Sequence, residues 1–108
     1  MGEAIVAGKK FNPKESTPYA DGSVVSKTII KKATGTVTLF SFDAGEGLSE
    51  HSSPHEALVQ VLEGSVEITI GGEATLVAAG ECLILPANVP HALKAAERFK
   101  MLLTMIKG

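Results

Sequence analysis

Short apolar runs separated by glycine turns most limit what this 108-residue chain can fold into. The run SVEITI, residues 65–70, alternates polar and apolar side chains, as a strand with one solvent-facing side does. Gly64 precedes this run, and Gly71-Gly72 follows it as a two-residue hairpin loop of the kind that needs positive φ. From residue 24 onward such turns recur roughly every 8 to 12 residues, which predicts about eight or nine short strands.

The remaining apolar runs fit the same interpretation. CLILP, residues 82–86, is apolar throughout, so we expect a strand buried on both faces. FKMLLTMI, residues 99–106, is long enough for a short helix, but no capping box precedes it, and we predict a strand. Core candidates in the run at residues 36–43 are Val37, Leu39 and Phe42. The pattern predicts an all-β protein of short antiparallel strands, arranged as a sandwich or barrel.

Two segments of different character divide the chain. Residues 8–23 contain two prolines, two glycines and mixed charges without periodicity, so we predict an irregular N-terminal segment over residues 1–23. Residues 24–108 would then form the β-barrel domain, since a chain of this length can bury one core but not two. Tyr19, within the irregular segment, is expected to cover a barrel edge.

Charge and cysteine content restrict the partners and the compartment. The net charge of −2 does not indicate a nucleic-acid binder, and no apolar run is long enough for a membrane helix. Residues 1–32 hold six lysines against three acids (net +3), and residues 33–108 hold four cations against nine acids (net −5). This asymmetry favours a solvated basic tail, with docking of that segment across the acidic body of a second copy as the alternative. We expect a homodimer, because pairing buries an exposed sheet edge of such a barrel. One cysteine, Cys82, and no secretory signal pattern predict a cytoplasmic protein.

The three histidines are the main candidates for chemistry. His51 and His55 are four residues apart and would share one face of a straight strand with Ser53, although Pro54 makes a turn there plausible. Imidazole nitrogens bind Fe, Mn, Ni and Zn, so both residues, with the distant His91, are candidate ligands of one divalent metal. The nearby acids have the opposite parity, and a carboxylate ligand here would need a backbone irregularity. The alternative is that these histidines are ordinary hydrogen-bonded polar groups.

Gly45, His51 and Gly64 have a spacing that resembles the first motif of the cupin superfamily. That motif runs glycine, five residues, His-x-His, three or four residues, Glu, six residues, glycine. Gly45, His51 and Gly64 fall on this spacing. Ser53 stands at the second histidine and Ala57 at the glutamate, so two of the residues that would bind a metal are replaced.

The second motif of the superfamily is matched to a similar degree. It runs glycine, five residues, proline, one residue, glycine, two residues, His, three residues, Asn, and Gly80, Pro86 and His91 match it. Asn88 replaces the glycine and Ala95 the asparagine. The chain thus resembles a small single-domain cupin of the cupin 2 conserved barrel family, with a degenerate metal-binding motif. The resemblance covers roughly residues 36–106 and implies a jelly-roll β-barrel.

Three functions remain open. The first is a barrel that binds a small molecule at its mouth through His51, Ser53 and His91, without a metal. The second, implied by the resemblance, is a metal-dependent oxygenase or isomerase using His51, His55 and His91. The third is an oligomerisation or sensing domain, although no DNA-binding region is present. Cys82 is expected to be a buried small hydrophobe, and Met101 and Met105 to pack in the core or a dimer interface.

Overall fold

Antiparallel strands account for 56% of the structure, a computed structural model that describes residues 4–107. Residues 1–3 and 108, the outer ends of the two predicted segments, lie outside this range. No helix within residues 4–107 is long and apolar enough to cross a membrane. A 3-10 helix covers Pro13–Glu15, and the strands are β1 (Val24–Lys32), β2 (Gly35–Phe42), β3 (Gly47–His51), β4 (Glu56–Glu63), β5 (Ser65–Ile70), β6 (Glu73–Ala78), β7 (Cys82–Leu85), β8 (His91–Lys94) and β9 (Phe99–Ile106).

Two sheets face each other across one core. The five-stranded sheet has the order β1-β2-β9-β4-β7, and the four-stranded sheet has the order β3-β8-β5-β6. Every strand pair is antiparallel. The prediction of an all-β chain of short antiparallel strands is therefore confirmed, including the assignment of residues 99–106 to a strand.

A stacked pair of phenylalanines anchors the core. Phe42 on β2 and Phe99 on β9 are register partners, with ring centroids 4.5 Å apart and planes inclined by 15°. Both are fully buried, as are Val59, Val66 and Ile68 from the two inner faces. Leu39 and Phe42 are buried as predicted, whereas Val37 is only half-buried. Val37 and Leu39 share the outer face of the sheet, and the N-terminal segment packs over the half of that face that contains Leu39.

Gly64 carries the chain from one sheet to the other. It lies between the end of β4 and the start of β5, with φ of +73°, a region that glycine adopts without steric cost. A Cβ built on Gly64 would lie 2.2 Å from the backbone oxygen of Arg98. The turn therefore needs glycine both for its dihedral angle and for the close approach of the neighbouring backbone. Gly71 and Gly72, also at positive φ, form the predicted hairpin between β5 and β6.

Strand β7 differs from the prediction. We expected CLILP to be buried on both faces, but Cys82 is exposed and Ile84 is 60% exposed. The reason is topological, because among the strands of residues 4–107 β7 pairs only with β4 and forms the edge of the five-stranded sheet. Only its inward side, which includes Leu85, meets the core. The expectation that Cys82 is a buried small hydrophobe is wrong for the same reason.

The N-terminal segment packs on the outer face of the five-stranded sheet. The buried Ser41 hydroxyl donates a 2.5 Å hydrogen bond to the backbone oxygen of Thr17, and the Lys100 ammonium donates to the backbone oxygen of Lys14. The Tyr19 hydroxyl donates to Glu63 at 2.5 Å, and its ring lies 4.8 Å from the Lys100 ammonium. Burial, and then the hydrogen bond to the Glu63 carboxylate, raise the pKa of Tyr19 above its usual value, so the phenol stays protonated. The first strand begins at Val24, while the division into domains at residue 23 stays a prediction.

Replacing Gly64 tests the sheet crossover. Gly64→Ala is expected to lower the free energy of unfolding by about 3 kcal/mol or more, because positive-φ strain is added to a backbone collision. Gly72→Ala is the matched control, with φ of +88° and open space around the added Cβ, and should cost only about 1 kcal/mol. Urea unfolding measures both, and equal losses would contradict this account of Gly64.

Candidate functional site

A small cavity opens at one end of the barrel, between the two sheets. Its volume is about 60 Å³. Its wall combines imidazole and hydroxyl groups with aliphatic and thioether groups. The lining residues are Leu48, His51, Ser53, His55, Ala57, Leu85, His91, Leu93, Met101, Leu103 and Met105. All three histidines of the chain therefore contribute to one cavity.

Strand pairing brings two of these histidines together. His51, at the end of β3, and His91, at the start of β8, are register partners in the four-stranded sheet. Between Leu48 and His51, β3 has one residue more than the facing part of β8, which is a β-bulge. Residues three apart on a regular strand point to opposite faces, so the bulge is what allows Leu48 and His51 both to line the cavity.

The two imidazole rings contact each other edge to face. Their centroids are 4.5 Å apart and the planes are inclined by 69°. His91 is only 6% exposed, whereas His51 is exposed at the mouth. Nδ1 of His51 lies 2.8 Å from the backbone oxygen of Ser49, and Nδ1 of His91 lies 3.2 Å from that of Val89.

These backbone contacts determine which ring nitrogen carries the proton. A carbonyl oxygen can only accept a hydrogen bond, so Nδ1 of His51 and of His91 must be the donor. In the neutral rings Nε2 then carries the lone pair. No hydrogen bond within residues 4–107 engages either Nε2 atom. Metal-binding histidines are oriented in the same way: the ring nitrogen that does not bind the metal donates its N–H to a group such as a backbone carbonyl. The same lone pairs can also accept hydrogen bonds from an organic ligand.

Ser53 and His55 reach the cavity from the loop between β3 and β4. The strand that we considered for residues 51–57 is interrupted after His51, so the shared face of His51 and His55 does not come from strand alternation. The Ser53 hydroxyl accepts a 3.2 Å bond from the backbone N–H of His55, and its backbone oxygen accepts a 2.7 Å bond from the N–H of Asn88. Asn88 has φ of +65°, which explains why asparagine can replace the motif glycine here.

An apolar row replaces the carboxylate of the family motif. Ala57 on β4 pairs with Leu85 on β7 and with Met105 on β9, and all three line the cavity. The methyl group of Ala57 can neither bind a metal nor transfer a proton. Sequence reasoning assigned Met105 to packing and missed its place in the cavity wall, and Leu48 was missed as well. The only signal for Leu48 was a single leucine in an otherwise polar stretch next to His51.

The side chains present fit a tightly held metal poorly. Catalytic zinc sites use three protein ligands and one open position. His51 and His91 supply two prepared imidazoles, and within residues 4–107 no group of three or more histidine, cysteine, aspartate or glutamate side chains is placed to hold an ion. His55 lines the cavity without joining such a group. From the sequence, a nearby carboxylate would face the cavity only if the backbone were irregular. The bulge in β3 turns His51 toward the cavity, and Glu50 remains exposed.

Comparison with known proteins places these features in a family. The family model for the cupin domain matches residues 38–107. Quercetin 2,3-dioxygenase from Bacillus subtilis is 28% identical over 113 aligned residues, which cover 89% of this chain. The chain spans only about one third (33%) of that enzyme's length.

Solved structures show the same barrel. A conserved protein of unknown function from Streptococcus pyogenes is 36% identical, with a TM-score of 0.91, and the match covers 96% of this chain and 91% of that one. A cupin 2 conserved barrel domain protein from Leptotrichia buccalis is 42% identical, with a TM-score of 0.87, over 90% of this chain and 47% of that one. With two facing antiparallel sheets and the matched motifs, the predicted cupin-like barrel is confirmed: this chain belongs to the cupin domain family.

Proposed function

We propose that this cupin binds a small organic molecule in the barrel mouth, through His51, Ser53 and His91, without needing a metal. The observation that carries the proposal is the pair of convergent imidazoles whose Nδ1 atoms are held by backbone carbonyls. In the neutral rings Nε2 is then the acceptor, on two side chains that line the cavity. A few convergent polar groups in a mostly apolar cavity are the usual construction of a small-molecule site.

The size of the cavity restricts the ligand. A volume of about 60 Å³ is small beside the roughly 300–1,000 Å³ of typical ligand sites. A molecule that enters completely has only a few non-hydrogen atoms, and a larger one can insert only one end. That end should carry a hydroxyl or N–H donor for the imidazole acceptors and a short apolar part for the row of Ala57, Leu85 and Met105.

A divalent-metal-dependent enzyme, of the oxygenase or isomerase type, is the second candidate. The tautomer of His51 and His91 is the one that metal-binding histidines adopt, and one relative bears the name of a dioxygenase. His55 would be the third ligand of iron, manganese, nickel or zinc. This candidate ranks second because the donor set present lacks the second histidine and the glutamate of the family motif.

We also propose that the protein is a cytoplasmic homodimer. The single thiol cannot form an internal disulfide, as suits a reducing compartment. A basic N-terminal part and a more acidic remainder favour association of two copies. Nucleic acid is not a proposed partner, because the net charge is −2.

Ligand binding can be tested by screening small alcohols, phenols, amides and carboxylic acids with ¹⁵N- and side-chain ¹³C-resolved NMR. A binder is expected to shift the resonances of His51, Ser53 and His91, and His91→Ala should weaken its binding about tenfold or more by removing one fixed acceptor. Leu76→Ala, on an exposed face of β6, is the control and should leave the affinity unchanged. Shifts that avoid the cavity, or that persist fully in His91→Ala, would overturn the proposal.

Metal binding can be tested by restoring a missing ligand. If only two imidazoles are available, the wild type should bind Ni²⁺ or Zn²⁺ weakly, and Ser53→His should tighten binding at least about tenfold. Isothermal titration calorimetry of chelator-treated protein measures both. Tight stoichiometric binding by the wild type, lost in His55→Ala, would instead favour the metal-dependent enzyme.

A further inference from the structure

The outer face of the five-stranded sheet is only half covered by the chain itself. The segment of residues 12–19 lies over one half, where Leu39, Ser41 and Lys100 are buried against it. The other half lies toward the cavity end of the same strands. There Ile30, Ile84 and Ile106 are 50%, 60% and 68% exposed.

Strand register aligns these exposed side chains into two rows. One row crosses all five strands and consists of Ile30, Val37, Thr104, Leu58 and Ile84. The next row crosses four strands and consists of Lys32, Gly35, Ile106 and Glu56. Neighbouring strands are about 4.8 Å apart, so the longer row extends about 19 Å. We call these nine residues the outer patch. Its uncharged centre is continuous, and one charge stands at each side.

The two charges of the outer patch have opposite sign and lie on the same row. Lys32 on β1 carries the positive charge and Glu56 on β4 the negative charge, three strand spacings apart. Within residues 4–107 neither side chain forms an ion pair. A surface with an apolar centre and opposite charges on its two sides is complementary to itself after a two-fold rotation.

We propose that the outer patch is the contact surface of a two-fold homodimer, in which Lys32 of each copy faces Glu56 of the other. This inference rests on the homodimer proposed above and specifies its face and its axis. The contact is not the N-terminal segment, because residues 14–17 pack on the sheet of their own chain. Two sheets pack face to face at about 10 Å, which buries the isoleucines of both copies between them.

Charge selects the direction of the symmetry axis. An axis parallel to the strands, between β2 and β9, exchanges the β1 side with the β4 side and preserves the row, so Lys32 meets Glu56. An axis in the plane of the interface but perpendicular to the strands would place the β1 side of one copy on the β1 side of the other. Each Lys32 would then face the other Lys32. Like charges in contact destabilise an interface, so the axis parallel to the strands is favoured.

The face is tested with two exposed residues of nearly equal accessibility. Ile106→Asp places an unpaired carboxylate in the centre of the outer patch and should weaken the dimer at least about tenfold in sedimentation equilibrium. Leu76→Asp is the matched control, since Leu76 is 67% exposed but lies on β6 of the other sheet. It should leave the dimer unchanged, and circular dichroism checks that both variants remain folded.

The axis is tested by charge reversal. Lys32→Glu and Glu56→Lys should each weaken the dimer about tenfold, and the double variant should recover wild-type affinity to within about threefold. Lys31→Glu is the control, because Lys31 pairs with Thr36 in the row of the inward-facing Met105, on the opposite face of the sheet.

The outcomes separate this inference from the proposed homodimer. A wild-type monomer at all concentrations overturns both. A dimer that Ile106→Asp leaves intact keeps the homodimer and overturns the outer patch as its contact surface. A dimer sensitive to Ile106→Asp but indifferent to both charge reversals overturns the proposed axis.

Discussion

The hydrogen-bonded pairing of β3 with β8 is the constraint on which the candidate site depends. Opposed residues of an antiparallel pair have Cα atoms about 4.5–5.5 Å apart, so His51 and His91 must lie close together once the two strands pair. The bulge in β3 then turns His51 to the same side as Leu48, toward the cavity. Each ring is oriented by a carbonyl two residues earlier in its own segment. The imidazole pair is therefore set by the backbone, before any ligand arrives.

The imidazole pair faces a cavity wall that is apolar at the position where the family motif has an acidic residue. Where the family motif carries a glutamate, Ala57 presents a methyl group, and its register partners Leu85 and Met105 extend the apolar surface. A carboxylate there would bind a cation or exchange a proton with a ligand. An apolar wall instead excludes water and strengthens the few hydrogen bonds that the imidazoles can make. Ala57 thus favours recognition of an organic group over coordination of an ion, while the two Nε2 atoms suit either.

Local sequence signals predicted the strands well because strand alternation and glycine turns are properties of a few consecutive residues. Gly64, with its positive φ and close backbone contact, is one such signal. Motif spacing likewise brought His51 and His91 to one end of the barrel. The exposure of Cys82 and Ile84 was not predictable, because burial of an apolar strand depends on whether a second neighbour pairs with it, and β7 has none in the part of the chain that the structure describes. The bulge in β3 could not be predicted from the sequence either, because a bulge is defined by the residues that face it on the paired strand, here β8.

The two faces of β4 and β9 connect the cavity with the outer patch. Ala57 lines the cavity, while its neighbours Glu56 and Leu58 belong to the outer patch. Met105 and Ile106 divide in the same way on β9. Packing a second copy against the outer side of these strands would oppose their local opening, because surface buried there must be exposed again before the strands separate. Association would therefore hold the apolar wall of the cavity in place, and the side chains that face the ligand would take no part in the dimer contact.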